Sequence, residues 1–239
     1  MFQIKVTLAT LLLAAIASAD SLPDAVVTTT PVELGKLRAA SKEDLANLKA
    51  LDLKYKNSKS ISMELEKKLK LNILNQERKS KGRLLISQGR MRMEIDKPDQ
   101  SLVVVDKKNI WVVQYPPEDL VGASLQVIRA SAETKKGRSQ SFIGLLVKGG
   151  ITKYFKVLNT MTAKDLSTTY FLQPEAGTVE FARAQVTLDS TSQQIKELKY
   201  WDELDNETTF VFSKVSFDKK IAADKFAYSP PKNADVTTY

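Results

Sequence analysis

The 239-residue chain contains no cysteine and no histidine. The first absence excludes a disulfide scaffold, a thiolate metal centre and an acyl anchor carried on a cysteine. The second removes the commonest general base and, with cysteine, the commonest transition-metal ligands and the Cys–His and Ser–His nucleophile systems. Glycine and proline are sparse, at 9 and 8 residues, and no glycine-rich phosphate loop or metal-ligand spacing occurs. Long apolar runs are missing as well. The stretch "MFQIKVTLATLLLAAIASA" is interrupted by Thr10 and ended by Ser18, short of the roughly 20 residues that a membrane-spanning helix needs. Neither a metal nor a cofactor is expected, and a non-catalytic binding protein is favoured over an enzyme.

What is present begins with Lys5 ahead of that apolar run and small residues at Ala17 and Ala19. This is the pattern of a signal peptide over residues 1–19, cleaved after Ala19. Residues 20–40, with "DSLPDAVVTTTP", read as a flexible N-terminal segment, and residues 41–239 as one domain large enough to bury a core without staples. The formal net charge is +8 at pH 7, and the basic excess concentrates between Glu64 and Lys97. Such a patch attracts nucleic acid, anionic headgroups or an acidic protein. The export signal argues against nucleic acid, and a solvated strand face explains the charges equally well.

Ser41 with Asp44 forms a capping-box start for a helix carrying Leu45, Leu48 and Leu51. From Ile61 the period changes to two, and strand-like runs follow at 82–87, 90–95, 101–106 and 109–114, the rhythm of an antiparallel meander. In "SLVVVDKKNIWVVQY", pairing Asp106 with Asn109 places Val103, Val105, Ile110 and Val112 on one face and Leu102, Val104, Trp111 and Val113 on the other. Both faces are apolar, so the hairpin is either covered twice or lines a cavity on one side. In "QSFIGLLVK", Phe142, Leu145 and Leu146 fall at helical spacing before Gly149-Gly150, which makes a short helix that serves as a lid or as permanent core. Strands resume at 168–174, 179–189, 195–202 and 208–217, and Ala222 to Phe226 make a helical turn. Asp202, Glu203 and Asp205 cluster in "WDELDNE", where hairpin-turn composition outweighs carboxylate catalysis. Asn206-Glu207-Thr208 matches a glycosylation acceptor in that turn.

The order of these pieces resembles the LolA family of periplasmic lipoprotein carriers. The resemblance rests on the leader without a lipobox cysteine, "GRLLISQGRMRMEIDKPDQSLVVVDKKNIWVVQY", the apolar helix at 141–147, "TYFLQP" and "DELDNETTFVFSKVSF...KFAYSPP", and covers residues 41 to 236. It implies a mainly β fold with helices (α+β), an eleven-stranded incomplete antiparallel barrel, or half-barrel, whose apolar concave face is covered by helices. It further implies a monomeric periplasmic carrier of acylated lipoproteins, loaded by an inner-membrane ABC-type lipoprotein release complex and unloaded by an outer-membrane receptor lipoprotein. Candidates for the lipid-binding cavity and lid are Met91, Met93, Val103, Val105, Trp111, Val112, Phe142, Leu145, Leu146, Phe171, Phe210 and Phe212. Where the family has an Arg-Pro or Lys-Pro step before an aromatic pair, this chain has Ser87-Gln88-Gly89-Arg90 with Met91 and Met93. Arg90 and Arg92 are the nearest candidates for the family's lid-locking arginine, and each is equally readable as a solvent-facing strand residue. Two other readings stay open: a related carrier of another lipid or lipid-linked product, and a non-catalytic envelope interaction or sensor domain.

Overall fold

The computed structural model describes residues 36–116, 120, 122–131, 150–175 and 181–238. Ser41 caps helix α1 (Lys42–Asn57). Its hydroxyl accepts the Asp44 N–H at 3.1 Å while the Asp44 carboxylate accepts the Ser41 N–H at 2.7 Å, the reciprocal arrangement expected of this spacing. The buried stripe is Asp44, Leu48, Leu51, Asp52 and Tyr55. Leu45, expected on that stripe, is 44% exposed. The helix is rotated so that Asp44 faces the sheet, where Arg38 and Thr160 bind its carboxylate.

Alternation of side chains then builds an antiparallel meander of β2 (Ser60–Leu71), β3 (Gln76–Ser87), β4 (Arg90–Ile95), β5 (Ser101–Val105), β6 (Asn109–Gln114) and β7 (Gln126–Ser131). The turn between β3 and β4 uses Gln88 and Gly89, both at positive φ (51° and 75°), which matches the strand twist of a two-residue hairpin. After the short helix α2 (Ile151–Tyr154) comes a second meander: β8 (Phe155–Thr162), β9 (Ser167–Pro174), β10 (Arg183–Asp189), β11 (Gln194–Trp201) and β12 (Glu207–Phe217). Pairing of β12 with β2 joins the two meanders into one open sheet.

Strands β2–β12 are the eleven antiparallel strands that the resemblance implied. Two short edge strands enlarge the sheet to thirteen. β1 (Arg38–Ala39), inside the stretch expected to be flexible, pairs with β8, and β13 (Asp235–Thr238) runs parallel to β7. The expected helical turn is a 3-10 turn over Ala223–Phe226. β7 and β8 were not anticipated from the sequence.

The hairpin register is the expected one, with Val103 opposite Val112, Val104 opposite Trp111, and the Asp106 N–H bonded to the Asn109 carbonyl at 3.0 Å. Each face meets a different cover. Leu102, Val104, Trp111 and Val113 form a small outer core with Val127, closed by Leu125 just ahead of β7 and by Tyr228 and Ala234 of the chain's last stretch. Val103 and Val105 pack against the main core, which includes Leu48, Leu51 and Tyr55 of α1.

Candidate functional site

The inner face, on the α1 side, follows from the register. One row runs Ile61, Ile86, Met91, Val105, Ile110 across β2 to β6, and the next runs Met63, Leu84, Met93, Val103, Val112. The members on β2, β3 and β4 are buried, whereas Val103, Val105, Ile110 and Val112 on β5 and β6 are half-buried. On the other half of the sheet Phe210 and Phe212 lie with Leu198 and Val186 in the same core. Their rings continue an aromatic series, Phe155, Phe181, Tyr200, Phe210, Phe212, with centroid spacings of 5.9, 5.2, 6.5 and 6.4 Å. The result is an apolar surface that extends over both meanders, broken at Lys67, in which two methionines supply adaptable contacts.

The structure therefore brings Met91, Met93, Val103, Val105, Val112, Phe210 and Phe212 to one face. It separates two other candidates from them. Trp111 lies on the outer face, its ring 5.5 Å from Tyr228 and its indole N–H directed to Asp106 at 3.4 Å. Phe171 pairs with Gln185 and Asn159, one residue out of phase with the inward Tyr170 and Leu172. An alternating strand delivers neighbouring residues to opposite faces, so neither side chain reaches the inner surface. Phe142, Leu145 and Leu146 lie outside the described residues.

Arg90 and Arg92 share the parity of Glu94, opposite to Met91 and Met93, and so also face outward. Arg90 stacks over the Phe226 ring at 4.9 Å; Arg92 holds Glu94 at 2.7 Å and donates to the Lys225 carbonyl at 3.3 Å. They fasten the 3-10 turn to the outer side of β4 and do not reach across the inner face. The carboxylate cluster is a turn: Asp202 accepts the Leu204 and Asn206 N–H groups, each at 2.9 Å. Asn206 is 5% exposed and its side-chain oxygen accepts the Asn72 N–H at 3.0 Å. That corrects the glycosylation reading, because the amide is consumed inside the fold.

Three polar features escaped the sequence reading. Asp52 of α1 accepts the Thr152 N–H at 2.8 Å and the Thr152 hydroxyl at 2.7 Å, tying α2 to α1. The Tyr55 hydroxyl accepts the Ile195 N–H at 3.2 Å, and burial pushes its pKa up to about 12. Lys67, which sequence alone groups with the surface lysines, has the parity of Leu65 and Leu69 and is buried on the inner face. Its parity was the available signal. Of the other basic residues here, Lys68, Lys79 and Arg83 face outward beside Glu66, Glu77 and Glu94, whereas Arg78, opposite Leu69, shares the inner parity and pairs with Asp99 at 3.3 Å.

Residues 56–229 match the family model described as "Outer membrane lipoprotein carrier protein LolA". An outer-membrane lipoprotein carrier protein of Chromobacterium violaceum is 24% identical over 213 residues, which cover 89% of this chain and 96% of that one. One from Xylella fastidiosa is 27% identical over 146 residues, covering 61% of this chain and 65% of the relative. Among solved structures, a LolA superfamily protein of Nitrosomonas europaea aligns over 77% of this chain and 96% of its own, with 11% identity and a TM-score of 0.42.

Proposed function

This chain belongs to the LolA family of outer membrane lipoprotein carriers, and from that premise we propose that it is a non-catalytic periplasmic carrier whose inner sheet face takes up the acyl chains of lipoproteins. The observation that carries this reading is the half-buried Val103, Val105, Ile110 and Val112, which continue the rows of buried Met91 and Met93 toward solvent. Burying an acyl chain is worth about 0.8 kcal/mol per CH₂, so a chain exposed in water is held back by a large free energy that an apolar face offsets. Methionine and valine walls provide that contact without polar groups that would fix one geometry. No helix among the described residues is long and apolar enough to cross a membrane. In this reading an inner-membrane ABC-type release complex loads the face, an outer-membrane receptor lipoprotein empties it, and the carrier works as a monomer.

Gentle purification from a periplasmic extract followed by native mass spectrometry tests the reading. Co-purified acylated peptide or intact lipoprotein is the expected result. A different lipid or lipid-linked product in the same place would identify the related-carrier reading instead. A protein that stays empty after incubation with excess triacylated peptide would rule out the lipoprotein reading, and one that also takes up no other lipid would rule out both.

A further inference from the structure

Lys67 interrupts the apolar inner face in the middle of a row. The register runs Ser80, Lys67, Phe210, Leu198, Val186 across β3, β2, β12, β11 and β10. All five residues are buried, and Lys67 is only 8% exposed. Along its own strand it stands between Leu65 and Leu69, both buried. Its ammonium makes no hydrogen bond or ion pair with another described residue, and its nitrogen keeps a narrow contact with solvent, since among the described residues the Tyr228 hydroxyl alone is a fully buried side-chain polar atom without a partner. Asp99, the carboxylate whose charge favours the ammonium, is engaged by Arg78 at 3.3 Å. The Asp99 N–H donates to the Ser80 hydroxyl oxygen at 3.2 Å, which leaves the hydroxyl proton of Ser80 available.

An ammonium in such surroundings is costly unless an anion or water meets it. The outer face of β2 already offers Lys68 and Lys70 to solvent, so long-range attraction does not require a lysine turned inward. The fold does not require one either: leucine or methionine in this register would continue the row. Burial presses the Lys67 pKa downward, as expected of a cation lacking a close partner.

We propose that Lys67, assisted by the Ser80 hydroxyl, binds the anionic headgroup of an amphiphile whose acyl chain lies along the inner face. The headgroup chemistry is a carboxylate or a phosphate; Lys67 supplies the charge and Ser80 a neutral donor. This rests on the carrier reading and narrows it, because the cargo then carries a negative group close to its acyl chains. An uncharged acyl ester of the same length fills the apolar rows but leaves Lys67 unpaired.

The test compares cis-parinaric acid with its methyl ester by fluorescence titration, using the purified protein after removal of bound lipid. The wild type is expected to bind the acid about tenfold more tightly than the ester, the scale of one charged hydrogen bond. Lys67→Met should lower the affinity for the acid to that for the ester and leave the ester unchanged, while Lys67→Arg keeps the preference. Displacement of the acid by lysophosphatidic acid or by palmitate, at matched chain length, distinguishes phosphate from carboxylate as the preferred headgroup. Equal affinity for acid and ester in the wild type overturns the proposal without recourse to any variant, as does an undiminished preference in folded Lys67→Met. If the ester binds well in those cases, the acyl-chain face survives and the headgroup site alone is lost. Failure of acid, ester and triacylated peptide alike rejects the carrier reading itself.

Discussion

At the residue scale, strand parity decides what each side chain does, and the methionines give the sharpest case. Met91 and Met93 face inward with 0% and 9% exposure, while Arg90 and Arg92, one position away, brace the outer 3-10 turn. Changing both methionines to glutamate should abolish binding of a fluorescent acyl probe, because a carboxylate on an apolar face is strongly disfavoured; circular dichroism checks that the sheet is retained. Trp111→Ala, in contrast, should leave probe affinity close to wild type while costing about 3–5 kcal/mol of stability in denaturant titrations, since its ring packs with Tyr228 on the other side. Gly82 is a second sensitive position. A Cβ there would clash with the Glu94 carbonyl oxygen on β4, so Gly82→Ala should destabilise by about 1–3 kcal/mol as β3 and β4 are pushed apart, seen as a lower denaturation midpoint.

At the element scale, α1 is anchored by polar contacts at several points along its length. Arg38 bonds Asp44 at 3.0 Å and, as the largest cause, holds that carboxyl well below the usual carboxylate range. A depressed carboxylate pKa contributes stability that is present above the unfolded value, near pH 4, and is lost as pH falls through the folded one. Asp44→Asn should therefore cost about 1 kcal/mol at pH 7, with the gap to wild type narrowing in urea titrations carried out below about pH 4. The capping box that starts this helix was legible in sequence because Ser41 and Asp44 are local signals. Its buried stripe was less legible, since an ion pair turned Asp44 inward and Leu45 outward. Strands with clean alternation, such as β4 and β5, could be read directly. β7 could not: Val127 and Ile128 are adjacent and both buried, so no period of two shows. In β8 a register shift between Val157 and Asn159 breaks the rhythm. Inner and outer faces of the 101–114 hairpin were equally apolar in sequence, so the faces could be grouped but not assigned; the last stretch of chain, with Tyr228, decides which side is outer.

At the scale of the whole molecule, the sheet separates two kinds of surface. The inner face is apolar apart from Lys67, the Arg78–Asp99 pair and a few polar groups, and the outer face of β2 and β3 carries Lys68, Lys79 and Lys81 among carboxylates. Replacing these three lysines with glutamine should weaken co-sedimentation with vesicles containing anionic lipid, most at low ionic strength, because exposed charges act over a Debye length of about 10 Å at 0.1 M salt. Affinity for a soluble acyl probe should stay unchanged, and a loss of probe affinity would show that the two surfaces are not independent. The junction of β12 with β2 has a further effect, on the order in which the molecule is made. Each meander can form from neighbouring hairpins, but β12 and β2 come from opposite ends of the described chain, and such distant pairings are slow to close. A chain still being synthesised, or one stopped before β12, holds two unjoined half-surfaces, each with an unsatisfied strand edge. The face proposed to hold cargo is therefore completed late in folding, once β12 has been made and has paired with β2.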